Sequence, residues 1–551
     1  ARPAVGGGVE RDARDRAVRD DHEAMDRGPE GTGLFERAAE LYAEAGDPGE
    51  ALAARARAAY VRALSGHVDE ALAAVEDPYD QVLALYADDA TGVRQTASVL
   101  MGRARILLRR VHEGAPGAVP DADRSVRELL ALVQGHTGGD VRLASRAAEG
   151  RAMLAELAAL TGDAERAAGL FRMAARGFVE AGLPWFSVEY EVRVAALAHE
   201  LGDTAEAERA LRASLEHGGP YLEATGRAQL HLQLAEVIGG RGAVPEAAEH
   251  ALEAAHWADE AGESATLGAW ARHQLGGFLL RQGRFAEAAE VLESALPDLN
   301  ADTHGDGAIV QTQWWLGDCL GELGEHRAAA ERRLQAAEIA RHWPEQQDHA
   351  TLAHLAGESL GQAGLADEAD RAYARAGDLW RSLGNVHGLV RSRRARAWLA
   401  LRAEGGPAGA RELMAGAVEE CAAALEVCDD AAARDRLAAE LGHTHRQFGD
   451  LLARSVSEEA EDEVIRTAFE QALSETVRAV AVFGSLGDDA RHSRTGAELA
   501  AGWLEADLGR PDEAAARARE VLTAYEGADD EDETVRARRA EARQMLGLRE
   551  R

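Results

Sequence analysis

The sequence predicts an all-α protein, an α-solenoid of about eleven stacked helical hairpins. Aromatic residues make up only 5% of the 551 residues and alanine is abundant, a composition that favours helix over sheet. Glycine recurs every 40 or 41 residues along the middle of the chain, at Gly162, Gly202, Gly242, Gly283, Gly324 and Gly364. An alanine stands five residues after each of these glycines, and Ala or Gly stands seven residues before each. Three columns in register indicate one repeated structural unit.

Each unit is predicted to be a helix, a tight turn and a second helix. The glycine supplies the left-handed backbone conformation that ends the first helix, as in Leu201-Gly202-Asp203. The small residues on either side of it allow the two helices to cross closely, and larger apolar residues such as Phe171 and Leu292 fill the next groove. One hairpin cannot bury its apolar face alone, so neighbouring hairpins must stack.

The repeat divides the chain into four segments. Residues 1–32 have few large apolar side chains and are expected to form a mobile tail or a frayed helix. Residues 33–138 form irregular repeats with a turn at Gly66, and residues 139–404 form the regular array. Residues 405–551 hold further repeats: one unit turns near Gly405, another near Gly449 carries an acidic insertion, and a helix from about Thr534 caps the array.

The unit around Gly283 resembles the tetratricopeptide repeat family. The residues that carry this likeness are Leu275, Gly276, Leu279, Phe285, Ala288 and Leu292. The unit length of 40 or 41 departs from the usual ~34 residues and matches the longer variants of the family. The lysine-free, Ala- and Arg-rich composition is typical of high-GC actinobacterial coding. The resemblance implies a right-handed superhelix whose first helices line a concave partner-binding surface.

In that family, the positions three before and one after the small-residue column face the concave surface. On this sequence they are His273, Gly277, Trp314, Asp318, His354 and Glu358, with Trp270 and Gln311 one turn earlier. His273, Trp314 and His354 are therefore expected to form a ladder that binds a peptide, since an exposed Trp among polar groups is typical of binding hot spots. The alternative is that Trp314 or its neighbour Trp315 packs between hairpins.

An arginine cluster follows the ladder. Arg391, Arg393, Arg394 and Arg396 precede Trp398, and Arg391 and Arg394 share one helix face. This face is a candidate site for an acidic peptide, a carboxylate or a phosphate. Internal pairing with acidic neighbours is the alternative. The dicarboxylate clamp of the chaperone-binding members is not expected, because it needs Lys and Asn.

Composition excludes several functions. The chain has no lysine, so all 61 basic residues are arginine, against 96 acidic residues and a net charge of -35. A P-loop, a protein kinase site and a pyridoxal enzyme all need lysine. An acidic surface opposes nucleic acid and anionic membranes, and no apolar run is long enough to span a bilayer. Three cysteines, Cys319, Cys421 and Cys428, fit a reducing cytoplasm rather than a disulfide framework.

Two catalytic or metal-binding motifs have structural explanations. Gly357 to Gly361 matches G-x-S-x-G, but that motif needs a strand and a sharp turn, whereas here a helix is predicted. His443 and His445 point to different sides of a helix, and Cys421 and Cys428 are expected in the core. We therefore expect no enzyme, cofactor or metal. The sequence predicts a cytoplasmic scaffold that binds a protein or peptide segment. The alternative is the sensory repeat module of a larger regulator with an effector domain upstream of Ala1.

Overall fold

The computed structural model describes residues 13–20, 25, 31–402, 406–457, 459–528 and 532–547. This part of the chain consists of helices and connecting turns without a strand, so the all-α prediction is confirmed. Two compact units are present, Ala1–Ala271 and Arg272–Arg551. The segment boundaries at 138 and 404, which rest on repeat regularity, stay a prediction.

The first unit begins with a helix over residues 13–20 (α1). Its further helices are Thr32–Glu44 (α2), Pro48–Leu64 (α3), Val68–Ala87 (α4), Val93–His112 (α5), Ala118–Val133 (α6), Val141–Leu160 (α7), Ala164–Glu180 (α8), Val188–Glu200 (α9), Thr204–Gly218 (α10), Ala224–Gly240 (α11) and Val244–Glu260 (α12). Ala17 of α1 is buried against Ala38, Ala39 and Tyr42. The segment expected as a mobile tail or a frayed helix therefore contains a packed helix.

Ala269–Arg281 (α13) spans the boundary between the units. The second unit continues with Phe285–Ala295 (α14), Ala301–His304 (α15), Asp306–Glu322 (α16), His326–Ala340 (α17), Gln347–Gln362 (α18), Ala366–Ser382 (α19), Val386–Leu401 (α20), Gly406–Val427 (α21), Ala431–Arg454 (α22), Asp462–Ser485 (α23), Arg491–Asp507 (α24), Pro511–Ala524 (α25) and Glu533–Leu546 (α26). In the described residues the pairs from α3–α4 to α24–α25, without the short α15, make the eleven expected hairpins, and α26 packs on the last one.

The three sequence columns have the predicted structural roles. All six repeat glycines adopt a positive φ, between +73° and +88°. In the small-residue column, a Cβ added to Gly276 would lie 2.3 Å from Leu292 Cδ2, and one added to Gly357 would lie 3.0 Å from the Tyr373 ring. The alanines after the turn, such as Ala288, are fully buried. Left-handed turns and close helix crossings therefore set the repeat, as in a tetratricopeptide-like hairpin.

Gly449 lies inside the first helix of its hairpin rather than in the turn. Helix α22 continues through Gly449 to Arg454. A Cβ at Gly449 would lie 2.3 Å from Thr476 Oγ1 and 2.9 Å from the Ala472 carbonyl oxygen. This glycine allows α22 and α23 to approach closely rather than turning the chain. Gly405, near which a turn was expected, lies outside the described residues. No helix in the described ranges has both the length and the apolar character needed to cross a bilayer.

Candidate functional site

The residues predicted to bind a partner lie on first helices, those that precede the turn of each hairpin. Trp270 and His273 lie on α13, and the others are on α16, α18 and α20. Their exposure is uneven. Gln311, Glu358 and Arg391 are exposed, whereas Trp270, Trp314, Asp318, His354 and Arg394 are half-buried and His273 is buried. The expected continuous exposed ladder is therefore wrong.

His273 is enclosed between two first helices. Its Nδ1 lies 2.7 Å from Thr312 Oγ1, and its ring stacks on Trp315 with the centroids 4.8 Å apart. Burial lowers the pKa of His273 to about 4, so the ring is neutral at physiological pH. A Cβ at Gly277 would lie 2.6 Å from Trp315, which shows why this Trp can lie flat against α13. The sequence predicted an exposed His273 because it does not reveal that Trp315 of the next hairpin lies over the ring.

The two half-buried Trp residues each pack against residues of a neighbouring hairpin. Trp314 contacts a buried cluster that includes Val310, Ala337 and Leu352. Trp270, in the first unit, packs against Leu232 and other small apolar side chains of α11 and α12. Trp314 therefore packs between its own hairpin and the next one, as the sequence-based alternative has it, while part of its ring stays accessible.

Asp318 forms an intramolecular ion pair with Arg333. Arg333 Nη2 donates to Asp318 Oδ1 at 2.7 Å, and its Nη1 donates to Ser359 Oγ and to the Leu355 carbonyl oxygen. Burial raises the pKa of Asp318 although the Arg333 guanidinium opposes this shift. Asp318 is therefore engaged within the protein while 35% of its side chain stays exposed, and its contact with a partner stays a prediction. Ser359 lies inside helix α18 and is buried, as expected for the G-x-S-x-G match.

The arginine cluster is largely paired. Arg394 Nη2 lies 2.8 Å from Glu440 Oε1, and both side chains are nearly buried. Arg393 pairs with Glu420 and Arg396 with Asp370. Arg394 is thus not free for an external anion, because it compensates a buried carboxylate. Arg391 stays exposed.

His354, the last residue of the predicted ladder, contacts the helix that carries the arginine cluster. Its Nδ1 lies 3.0 Å from Ser392 Oγ, which donates its own hydrogen to the Gly388 carbonyl. Burial, with smaller contributions from Arg391 and Arg394, lowers the pKa of His354 to about 4. Neutral His354 therefore donates from Nδ1, and only part of its ring faces solvent.

A groove that the sequence did not predict lies on the first helices of the first unit. It has a volume of about 230 Å³ and is lined by residues of α3, α5, α7 and α9. We call it the first-helix groove; its lining residues are Tyr60, Leu64, Arg105, Leu108, Arg109, His112, Glu149, Ala152, Met153, Glu156 and Tyr190. A signal was present in the sequence. The column rule, applied to the units of Gly66 and Gly162, selects Ala56, Tyr60, Ala152 and Glu156, and the last three of these line the groove.

Ion pairs and stacked rings hold the walls of the first-helix groove. Arg105 binds Glu149 through two hydrogen bonds of 2.6 and 2.8 Å, and its guanidinium lies 5.3 Å from the Tyr60 ring centroid. Glu156 accepts a hydrogen bond from Arg193 at 3.1 Å. The Tyr190 ring stacks on Phe178, and burial raises its pKa to about 12. The aromatic and charged groups are therefore preorganised.

A Ser, His and Glu cluster elsewhere does not have the geometry of a catalytic triad. Ser187 Oγ lies 3.2 Å and Glu191 Oε1 2.6 Å from the same atom, Nδ1 of His217. A triad needs the nucleophile and the carboxylate on opposite ring nitrogens. Ser187 also donates its hydrogen to the Pro184 carbonyl. This arrangement cannot relay a proton from serine to carboxylate.

Of the two cysteines expected in the core, Cys421 is buried, whereas Cys428 is only half-buried. His445 bonds Glu475 at 2.6 Å, and Cys421 is buried with its pKa raised by burial to about 12. Among the residues whose positions the structure describes, no group of three or more His, Cys, Asp or Glu side chains is arranged to hold a metal ion.

Comparisons with known proteins yield structural likeness only. No protein-family model matches the chain. No curated protein matches its sequence. Among solved structures, BtubC (BKLC) from P. vanneervenii is 19% identical, with 40% of this chain and 90% of that one covered and a TM-score of 0.34. The apo form of RapI is 13% identical, with coverages of 53% and 99% and a TM-score of 0.34. A tetratricopeptide repeat protein from Parabacteroides merdae is 14% identical, with coverages of 52% and 98% and a TM-score of 0.33.

Proposed function

We propose that this protein is a non-catalytic scaffold that binds a segment of a partner protein on its first helices. The observation that carries the proposal is the first-helix groove, in which four consecutive hairpins each contribute side chains to one depression. Such a groove can bind an extended or helical segment of a partner through contacts from several repeats. Because the walls are held by internal bonds, binding costs the protein little conformational entropy.

The groove indicates the chemistry of the segment. Leu64, Leu108 and Met153 offer an apolar surface, and Tyr60 and Tyr190 offer aromatic rings. An apolar or aromatic anchor residue fits this surface, since binding energy concentrates in such anchors. Arg109 is exposed at the groove, where it is available to an acidic residue of the partner.

The surface predicted from sequence in the second unit remains a separate candidate. Gln311, Glu358 and Arg391 are exposed there, next to the accessible parts of Trp314 and His354. We propose it as a second contact region of the same scaffold. It offers fewer aromatic groups to a partner than expected, because His273 is covered.

Paired variants test the first-helix groove. Leu64→Ala with Arg109→Ala removes two exposed lining side chains, so the fold should be kept. The matched control, Leu160→Ala with Arg124→Ala, removes the same residue types from exposed positions outside the groove. Wild type and both variants are used as bait in lysate, and the retained partner is then purified and titrated against each one. We expect an affinity loss of about tenfold or more for the groove variant only.

The outcome also separates the two surfaces. Unchanged affinity of the groove variant, together with loss on Trp314→Ala plus His354→Ala, would move the binding site to the second unit. Equal losses in the groove variant and its control would remove the groove proposal. Circular dichroism of every variant shows that helix content is retained.

A further inference from the structure

A second groove lies among α8, α9 and α10 of the first unit, and no step of the proposed scaffold function uses it. The two second helices α8 and α10 form its sides and the first helix α9 its floor. Its volume is about 340 Å³, within the range of small-molecule sites. We call it the second-helix groove. Its lining is aliphatic over most of its length, with Ala175, Val179, Val194, Ala210 and Ala213.

The rim of the second-helix groove carries three arginines. Arg172 and Arg209 both bind one carboxylate, that of Glu206, on opposite oxygens. Arg176 is exposed, and in the described part of the chain no carboxylate lies within ion-pair distance of it. Among the lining residues, three guanidinium groups therefore face one rim carboxylate, so the rim is locally enriched in positive charge within a chain of net charge -35, although Asp203 also acts on Arg209. The groove attracts an anion where the chain as a whole repels it.

The floor does not cancel this charge. Glu191 lines the groove and accepts a hydrogen bond from His217 Nδ1, 2.6 Å from its Oε1. Burial raises the pKa of Glu191 although the bond to His217 opposes the shift. The carboxyl thus holds its negative charge less readily than an exposed one. Even with Glu191 ionised, the guanidiniums of the groove outnumber the carboxylates by three to two.

We propose that the second-helix groove binds a small aliphatic carboxylate, with its hydrocarbon chain on the aliphatic lining and its carboxylate at the Arg176 side of the rim. One arginine without an internal partner matches one negative charge, and guanidinium and carboxylate fit as a planar pair. The hydrocarbon chain gains from leaving water. This site is separate from the first-helix groove, so either proposal can fail without the other.

Calorimetric titration of the full chain with octanoate tests the proposal, and 1-octanol serves as the uncharged probe with the same hydrocarbon chain. Arg176→Gln removes the unpaired rim charge. Arg166→Gln, on the same helix and exposed but outside the groove, is the matched control. Ala213→Leu fills the groove with a larger side chain. Thermal melts followed by circular dichroism show whether each variant is folded.

We expect octanoate to saturate one site per chain and to bind more tightly than 1-octanol. Arg176→Gln should weaken octanoate binding about tenfold, Ala213→Leu should abolish it, and Arg166→Gln should leave it unchanged. The proposal is overturned by an absence of saturable octanoate binding to the wild type. It is also overturned by equal affinities of octanoate and 1-octanol, or by equal effects of the two arginine substitutions.

Discussion

Replacement of Gly283 by valine should destabilise the α13–α14 hairpin by about 2 kcal/mol. Gly283 ends α13 with φ at +73°, and the space around it is open, since an added Cβ would meet no atom within 4 Å. The cost is therefore that of the backbone conformation alone. An L-residue in the left-handed region costs about 1–2 kcal/mol, and branching at Cβ adds to it. Asparagine, which adopts this region readily, should cost less than about 1 kcal/mol.

Two further glycines give contrasting controls. Gly276→Ala places a Cβ 2.3 Å from the fully buried Leu292, so overpacking should cost about 1–3 kcal/mol without any backbone strain. Gly307→Ala lies in helix α16 with free space around it and should stabilise by about 0.5 kcal/mol. The three substitutions thus separate backbone conformation, packing and chain entropy.

Hydrogen exchange measures these effects locally, because the opening free energies of α13 and α14 amides report the substitutions at 276 and 283, and those of α16 and α17 amides report the one at 307. The expected order at residue 283 is glycine, then asparagine, then valine as the least stable. If asparagine destabilises as much as valine, contacts rather than the left-handed backbone determine the turn, and the reasoning for all six repeat glycines is refuted.

Other expected outcomes follow from buried polar groups. Burial lowers the pKa of His273 from 6.5 to about 4, so as the pH falls the unfolded chain binds a proton at this histidine before the folded chain does. The free energy of unfolding therefore decreases as the pH drops from about 6.5 to 4. Urea unfolding at several pH values should show a shallower decrease for His273→Gln. Arg394→Ala, which leaves the buried Glu440 with only the 3.4 Å contact to His387 Nδ1, should cost about 3 kcal/mol, whereas Arg391→Ala at the exposed position should cost less than about 0.5 kcal/mol in the same assay. Ser359→Ala removes the acceptor of a buried Arg333 hydrogen bond and should cost about 1–3 kcal/mol in thermal melts, with partner capture unchanged.

The candidate sites show where sequence reasoning stops. The column rule, applied to the units of Gly66 and Gly162, selects Tyr60 and Glu156, which line the first-helix groove. It does not select Tyr190, which lies five residues before the Ala195 of its own unit, and it does not reach Arg105, whose irregular unit lies outside the regular columns. Arg333 was also missed, since a second-helix arginine that reaches two first helices leaves no signature in the columns.

The sequence by itself determined the helical class, the hairpin repeat and the positions of its regular turns. These features are local, because a glycine with positive φ and a small residue at a helix crossing act within one hairpin of about forty residues. Only the tertiary structure decided which side chains a partner can reach. His273 is bonded to Thr312, 39 residues later, and covered by Trp315. The burial of His273 thus depends on the neighbouring hairpin. Trp315 covers this histidine, whereas the adjacent Trp314 points to a different side of the same helix.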